Sequence, residues 1–149
     1  MSEKQFQIRR MQPGDAGEVS RLEQEIFSRP WSRQGFLDAL SCDNVIFLVA
    51  ETEEELAGYC GMYCALDEGE ITNVAVAEKQ RNRGAGRMLV EQLLKEAQAS
   101  GIRRVILEVR VSNDSAIRLY ERLGFSVCGI RKGFYEKPRE DGYVMALSQ

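Results

Sequence analysis

The sequence predicts an α/β (α+β) fold in one domain, 1–149, built as a mixed sheet with helices on both faces. Three observations lead there. Strand-like segments outnumber helices early, strand and helix alternate in the middle, and a hairpin-like pair ends the chain. Apolar residues at 44% and charged residues at 29% suit a packed core under a solvated surface. A chain of 149 residues buries such a core without metal or disulfide staples.

Each element follows from local pattern. Phe6 to Arg10 alternates like a first strand. Asp15 is placed to cap a helix carrying Val19, Leu22 and Ile26 on one face, with Pro30 as its end. Ser32 is placed to cap a short second helix bearing Phe36, Leu37 and Leu40. Val45 to Ala50 reads as a buried strand, and a turn at Thr52–Glu55 leads to a strand through Gly58, Tyr59 and Met62. Asp67-Glu68-Gly69 makes the next turn, and Ile71 to Val76 the next strand. A helix from Arg87 to Ser100, with Leu89, Val90, Leu93, Leu94 and Ala97 inward, stops at Gly101. Arg104 to Val111 is a strand, and Asn113 caps a helix from Asp114 to Arg122 that Gly124 closes. Phe125 to Ile130 and Gly142 to Leu147 form the final strand pair.

Composition excludes several function classes. Twenty basic against 23 acidic residues give a net charge of −3, which argues against a general nucleic-acid binder. The longest aliphatic run, Val45 to Ala50, is too short for a bilayer, so no membrane partner is expected. Met1-Ser2-Glu3-Lys4 lacks the apolar core of a signal peptide, and the expected location is cytoplasmic. Cys42, Cys60, Cys64 and Cys128 include no CxxC pair, and there is no histidine, so no metal site is expected. The cysteines read as reduced and packed; on one strand Cys60 and Cys64 lie too far apart for a disulfide. Without histidine, a general base must be a carboxylate, and a general acid a tyrosine, cysteine, lysine or carboxylate.

Arg81-Asn82-Arg83-Gly84-Ala85-Gly86, between a strand and a helix, carries the chemistry. A glycine loop at a helix mouth exposes unpaired N–H groups at the positive end of the helix dipole, which suits phosphate. Lys79, Arg81, Arg83 and Arg87 add cationic charge. A Walker A loop would need GxxxxGK[ST], which is absent. A dinucleotide fingerprint would need a tight turn after the strand and a third glycine where Leu89 stands. Coenzyme A is the third phosphate ligand to consider.

The hexapeptide resembles the pyrophosphate loop of the GNAT superfamily of N-acetyltransferases. Leu107-Glu108-Val109-Arg110, Ser112-Asn113, Ala116-Ile117, Leu119-Tyr120-Glu121 and Leu123-Gly124-Phe125 follow in the family's order. With Pro30-Trp31-Ser32, Arg131-Lys132-Gly133-Phe134-Tyr135 and Tyr143-Val144-Met145-Ala146-Leu147, the chain resembles the branch of bacterial ribosomal-protein-alanine N-acetyltransferases. The resemblance implies a central mixed, mostly antiparallel twisted sheet with helices on both faces and a splayed strand pair for acetyl-CoA. It implies that Val74, Ala75 and Val76 bind the pantetheine arm and acetyl group, with the Val76 N–H as an oxyanion donor. It also implies that the N–H groups of Asn82, Arg83, Gly84, Ala85, Gly86 and Arg87 hold the pyrophosphate, and that Asn113 contacts the cofactor.

Glu108 sits in an apolar strand, where an unpaired charge is costly to bury. On sequence alone it is an exposed carboxylate, a partner of Arg110, or a general base; the resemblance implies the base. Tyr120 shares a helix face with Ala116 and Leu123 as a packing residue would, and the resemblance implies that it protonates the leaving thiolate. A phenol near pKa 10 is a sensible proton source for a thiolate of about 8.5. The implied reaction is direct attack of an amine on the thioester.

The free base of a lysine side chain is roughly 300-fold scarcer than that of an α-amine at neutral pH, which favours an α-amine acceptor. The resemblance implies the basic N-terminal peptide of a ribosomal protein, beginning with the alanine of small-subunit protein eighteen. Glu51, Glu53, Glu54, Glu55, Asp67, Glu68 and Glu70 are candidates to steer it, and Trp31 and Tyr135 to wall its groove or to serve as core. A broader amine acetyltransferase and a non-catalytic acetyl-CoA-binding module remain alternatives, the latter needing neither Glu108 nor Tyr120.

Overall fold

The computed structural model describes residues 6–27 and 29–149, so the opening Met1-Ser2-Glu3-Lys4 segment lies outside the described residues. Seven strands form one sheet: β1 (Gln7–Arg10), β2 (Val45–Glu51), β3 (Leu56–Ala65), β4 (Glu68–Val76), β5 (Arg104–Arg110), β6 (Ser126–Tyr135) and β7 (Glu140–Ser148). Four helices accompany them: α1 (Ala16–Ile26), α2 (Arg33–Leu40), α3 (Ala85–Ala99) and α4 (Asp114–Arg122). The spatial order is β1-β2-β3-β4-β5-β7-β6. Every neighbouring pair is antiparallel except β4 and β5, which run parallel because α3 crosses between them.

The sheet is apolar on both faces, and each face carries its own core. Leu89, Val90, Leu93 and Ala97 of α3 pack with Leu48, Cys60, Met62, Val105, Leu107, Val109 and Tyr120. On the other face Val19 and Leu22 of α1 and Phe36 and Ala39 of α2 pack with Phe47, Val49, Tyr59 and Ala75. Alternation along β2 explains the division, since Leu48 points to one cluster and Phe47 and Val49 to the other.

β4 changes faces part-way. Ile71 belongs to the α3 side, yet Ala75 belongs to the α1 side, because Thr72 forms a bulge opposite the Gly61–Met62 step of β3. An added Cβ at Gly61 would lie 2.4 Å from the Phe47 ring, so only glycine lets that ring lie flat beneath the bulge.

Local signals set most boundaries. The Ser32 hydroxyl accepts from the Gly35 N–H at 3.0 Å, so it caps α2 as expected. Thr52 holds its turn, its hydroxyl accepting from Glu54 and Glu55 N–H at 3.1 Å. α3 begins at Ala85, two residues before the expected start, because Gly84 already serves as its N-cap. It ends at Ala99, where the Ile102 N–H returns to the Ala97 carbonyl past Gly101.

Several expectations need correction. Asp15 does not cap α1: its carboxylate grips Arg9 through two contacts of 2.9 and 3.0 Å and accepts from the Gln12 N–H. A bidentate guanidinium outcompetes helix N–H groups for that carboxylate. α1 ends at Ile26, ahead of Pro30, since Phe27 is already extended. The turn into β4 is Leu66–Asp67, with Leu66 at φ 56°, and Glu68 already belongs to the strand. β6 and β7 outrun their expected limits because the hairpin continues beyond the sheet with register shifts. Cys60 is buried as expected, whereas Cys42 and Cys128 are exposed; all four are free thiols.

Candidate active site

The parallel ladder is short. β4 and β5 pair only from Glu68↔Arg104 to Ile71↔Leu107, while β4 continues to Val76 and β5 to Arg110. Each stays paired on its outer side, β4 to β3 as far as Gly58↔Val76 and β5 to β7 as far as Arg110↔Gly142. The two half-sheets therefore separate from Thr72 onward, where the bulge adds local twist.

Hydrogen-bond phase identifies what faces the resulting slot. The Ala77 N–H donates to the Ala57 carbonyl at 2.7 Å, so Val76↔Gly58 is the non-bonded type of antiparallel pair. The N–H and C=O of Val76 therefore point away from β3 into the slot, as do those of Val74 two residues earlier. Ala75 turns its backbone groups to β3 and its methyl into the α1-side core. The Val76 carbonyl accepts from Arg81 Nε at 3.0 Å, which ties the following loop to the slot.

That loop is shaped by two left-handed residues, Asn82 at φ 65° and Gly84 at φ 91°. Gly84 caps α3 with no side chain, and the first helical bond runs from Met88 N–H to the Gly84 carbonyl. The N–H groups of Asn82, Arg83, Gly84, Ala85, Gly86 and Arg87 thus have no acceptor among the described residues, and they stand at the positive end of α3. A Cβ added to Gly86 would sit 3.7 Å from Val76 and 3.9 Å from Leu119, so the loop, the slot and α4 converge there. Arg87 leans on Glu91 at 3.2 Å, and Lys79 turns away to Glu55 at 3.0 Å. Lys79 is therefore not part of the cationic rim expected from the sequence. The loop and slot together fit a diphosphate joined to a narrow arm.

Tyr120 and Glu108 lie on opposite faces of the sheet. Tyr120 is buried in the α3-side core, where the Phe125 N–H returns to the Tyr120 carbonyl at 3.0 Å. This wraps the chain so that Phe125 packs edge-on against the Tyr120 ring, with centroids 5.7 Å apart. The Tyr120 hydroxyl makes no hydrogen bond to the described residues, and burial raises its pKa above the phenol value, holding the proton on oxygen. Asn113 caps α4, its side-chain oxygen accepting from the Ala116 N–H at 3.2 Å.

Glu108 projects to the α1 side, its side chain 16% exposed. Its partner is Arg131 of β6 and not Arg110. Arg110 instead pairs with Glu140 at 3.1 Å and stacks over Tyr135 at 4.6 Å. Tyr135 is pushed up to about 12, first by burial and then by the negative charge of Glu108. Trp31 packs on Phe36 and Phe47 at 5.2 and 6.2 Å, yet it also lines a surface cleft of about 460 Å³ with Asp38, Cys42 and Tyr63. Of the acidic residues expected to steer an acceptor, Glu51, Glu55 and Glu68 are held by Arg9, Lys79 and Arg104.

Sequence reasoning missed Glu23, which is 2% exposed within the α1-side core. It accepts from the Tyr59 hydroxyl and, at 3.2 Å, from the Trp31 N–H. Asn73 donates to the Tyr59 oxygen at 3.3 Å and accepts from Thr72 at 2.6 Å, so the network links the Trp31 loop to the bulge. Burial raises the Glu23 pKa while both donors oppose the shift. The signal was available, because Glu23 follows Val19 by four residues on the apolar face of α1. Arg131 and Glu70 gave no local signal of their proximity to Glu108.

Among the described residues no group of three or more cysteine or carboxylate side chains is gathered as a metal site requires, and no helix is long and apolar enough to cross a membrane. The chain matches the family model described as Acetyltransferase (GNAT) family over residues 17–125. It is 36% identical over 129 residues to the [ribosomal protein bS18]-alanine N-acetyltransferase of Salmonella typhimurium, covering 85% of this chain and 86% of that one. It is 33% identical over 142 residues to the Escherichia coli K12 protein of the same name, covering 94% and 95%. The crystal structure of the Escherichia coli ribosomal-protein-S18-alanine N-acetyltransferase superposes with a TM-score of 0.88 at 32% identity, covering 96% of this chain and 93% of that one. With a mostly antiparallel sheet opened at a parallel pair, and these matches across nearly its whole length, the chain belongs to the acetyltransferase (GNAT) family.

Proposed function

We propose that residues 1–149 act as one N-acetyltransferase domain that moves the acetyl group of acetyl-CoA to the N-terminal α-amine of a protein, the alanine of ribosomal protein bS18. The observation that carries this reading is the slot itself. Free N–H groups of the 82–87 loop lie at one end and the Val76 N–H faces its interior, while Glu108 stands on β5 just past the last paired rung and Tyr120 on the opposite face of the sheet. The names of the Salmonella and Escherichia coli relatives supply the acceptor. A cytoplasmic location accompanies the reading, because ribosomal proteins and acetyl-CoA meet there.

In this reading the loop N–H groups hold the diphosphate, with Arg83 adding charge. Asn113 keeps an amide N–H₂ free for the cofactor while its oxygen caps α4. Val74 and Val76 offer backbone edges to the pantetheine arm, and Ala75 locks that edge against β3. Glu108, directly or through a water, takes a proton from the acceptor ammonium, and the amine attacks the thioester carbonyl. The Val76 N–H meets the charge that develops on the carbonyl oxygen. The C–S bond then breaks, Tyr120 gives its proton to the departing thiolate, and the attacking nitrogen sheds its second proton, which restores the Tyr120 phenol and leaves a neutral amide and a free thiol.

The test is a thiol-release assay with acetyl-CoA and a basic peptide beginning with alanine, paired with mass spectrometry of ribosomal proteins from cells lacking the chain. Turnover, and an unacetylated bS18 in those cells, are expected. An inert peptide and a normally acetylated bS18 would remove the acceptor assignment.

A further inference from the structure

Glu70 is the acidic residue of its region that the fold brings to the reacting slot. It pairs with Ile106 two rungs before Glu108, one rung before the parallel ladder ends, and faces the α1 side with Glu108. The register sets its carboxyl diagonal to that of Glu108 on the same face, close enough for the Glu108 charge to bear on it. Arg131 reaches Glu108 from β6, its guanidinium bound to that carboxylate and stacked on the Phe134 ring at 4.6 Å. The other charge bearing on Glu70 is Glu68 on its own strand, which is held by Arg104 at 2.9 Å. Glu70 itself is exposed and open to an arriving molecule.

A guanidinium bound to Glu108, with the Glu70 carboxyl beside it on the same face, marks a place that already holds an organic cation. We infer that Glu70 and Glu108 form the seat for the acceptor's positively charged ammonium, and that Arg131, which binds Glu108 in the free protein, releases that carboxylate and keeps its stack on Phe134 when the acceptor arrives. This rests on the acetyl-acceptor reading above and adds to it a residue that selects the acceptor by charge. Three physical points favour it. The guanidinium and an α-ammonium are both N–H donors of the same charge, so one can replace the other at the same oxygens. Arg131 is the more exposed partner, at 55% against 16% for Glu108, so its departure costs little desolvation. Partial desolvation of its carboxyl against the sheet and the neighbouring Glu108 raise the Glu70 pKa, so an incoming cation relieves an existing repulsion.

Calorimetry on the coenzyme A complex, which cannot transfer acetyl, tests this seat. The alanine-started basic peptide is compared with the same peptide lacking its α-amine, at a pH roughly one unit below the ordinary α-amine value of about 8. The wild-type complex is expected to prefer the amine peptide by about tenfold, the scale of one charged hydrogen bond. Glu70→Gln should cut that preference by about threefold or more with coenzyme A affinity unchanged, and Glu70→Asp should retain part of it. Arg131→Met should tighten the amine peptide and leave the amine-free peptide unaffected. Matched thermal unfolding verifies that the exposed substitutions leave the fold intact. An unchanged preference in Glu70→Gln, or equal effects of Arg131→Met on both peptides, overturns the inference. Wild-type turnover with acetyl-CoA separates the two readings: an inert peptide that still binds with a Glu70-dependent preference removes the acetyl acceptor and keeps the seat.

Discussion

Ile71 and Leu107 are the last residues to face each other across the β4–β5 ladder. One residue further, Thr72 bulges against β3, and the strands part with their outer pairings intact. The slot is therefore held open by two well-paired half-sheets and not by a loose edge.

Glu108→Gln keeps the shape of the side chain and removes its basicity. Turnover should fall by about 100-fold or more, the usual range for losing a general base, while calorimetry finds coenzyme A affinity unchanged. Full activity at neutral pH would take Glu108 out of the proton path.

Tyr120→Phe deletes a hydroxyl that bonds to none of the described residues, and the ring keeps its contact with Phe125. Stability should hardly move, while thiol release slows by about 100-fold. Unaltered turnover in this variant would leave Tyr120 as packing alone.

Gly84→Val forces a β-branched residue into φ 91° at the mouth of α3. The strain is about 1–2 kcal/mol, and the displaced N–H groups should weaken coenzyme A binding by about tenfold. Equal affinity by titration would show that the loop does not grip the diphosphate.

Glu23 supplies a pH test. Its folded pKa is raised, so it holds its proton in the native state after the unfolded chain has lost it, and its contribution to stability is fully present below the unfolded value of about 4.3. That contribution is lost as pH rises through the folded pKa. Glu23→Gln, which cannot ionise, should therefore gain stability relative to wild type as pH climbs from about 4 toward neutrality. Denaturation midpoints that keep a constant offset across that range would exclude the burial-driven shift.

Features bounded by a few neighbouring residues were legible in the sequence: the Ser32 and Asn113 caps, the glycine loop, the helix stops at Gly101 and Gly124, and the strand cores. Asp15 shows where this fails. Its position suggested a helix cap, yet Arg9, brought close by β1, took the carboxylate. The ordered blocks from Ile71 to Phe125 carried the family, because the loop and α4 are local constructions.

By itself, then, the sequence determined which backbone segments form and where a phosphate-binding helix mouth stands, since those depend on side chains and amides a turn apart. Only the tertiary structure decided that Glu108 meets Arg131 and Glu70, that Glu23 reaches Tyr59, and that the slot opens after Ile71. Strand register and one bulge set those meetings, and both arise from the packing of segments distant in sequence.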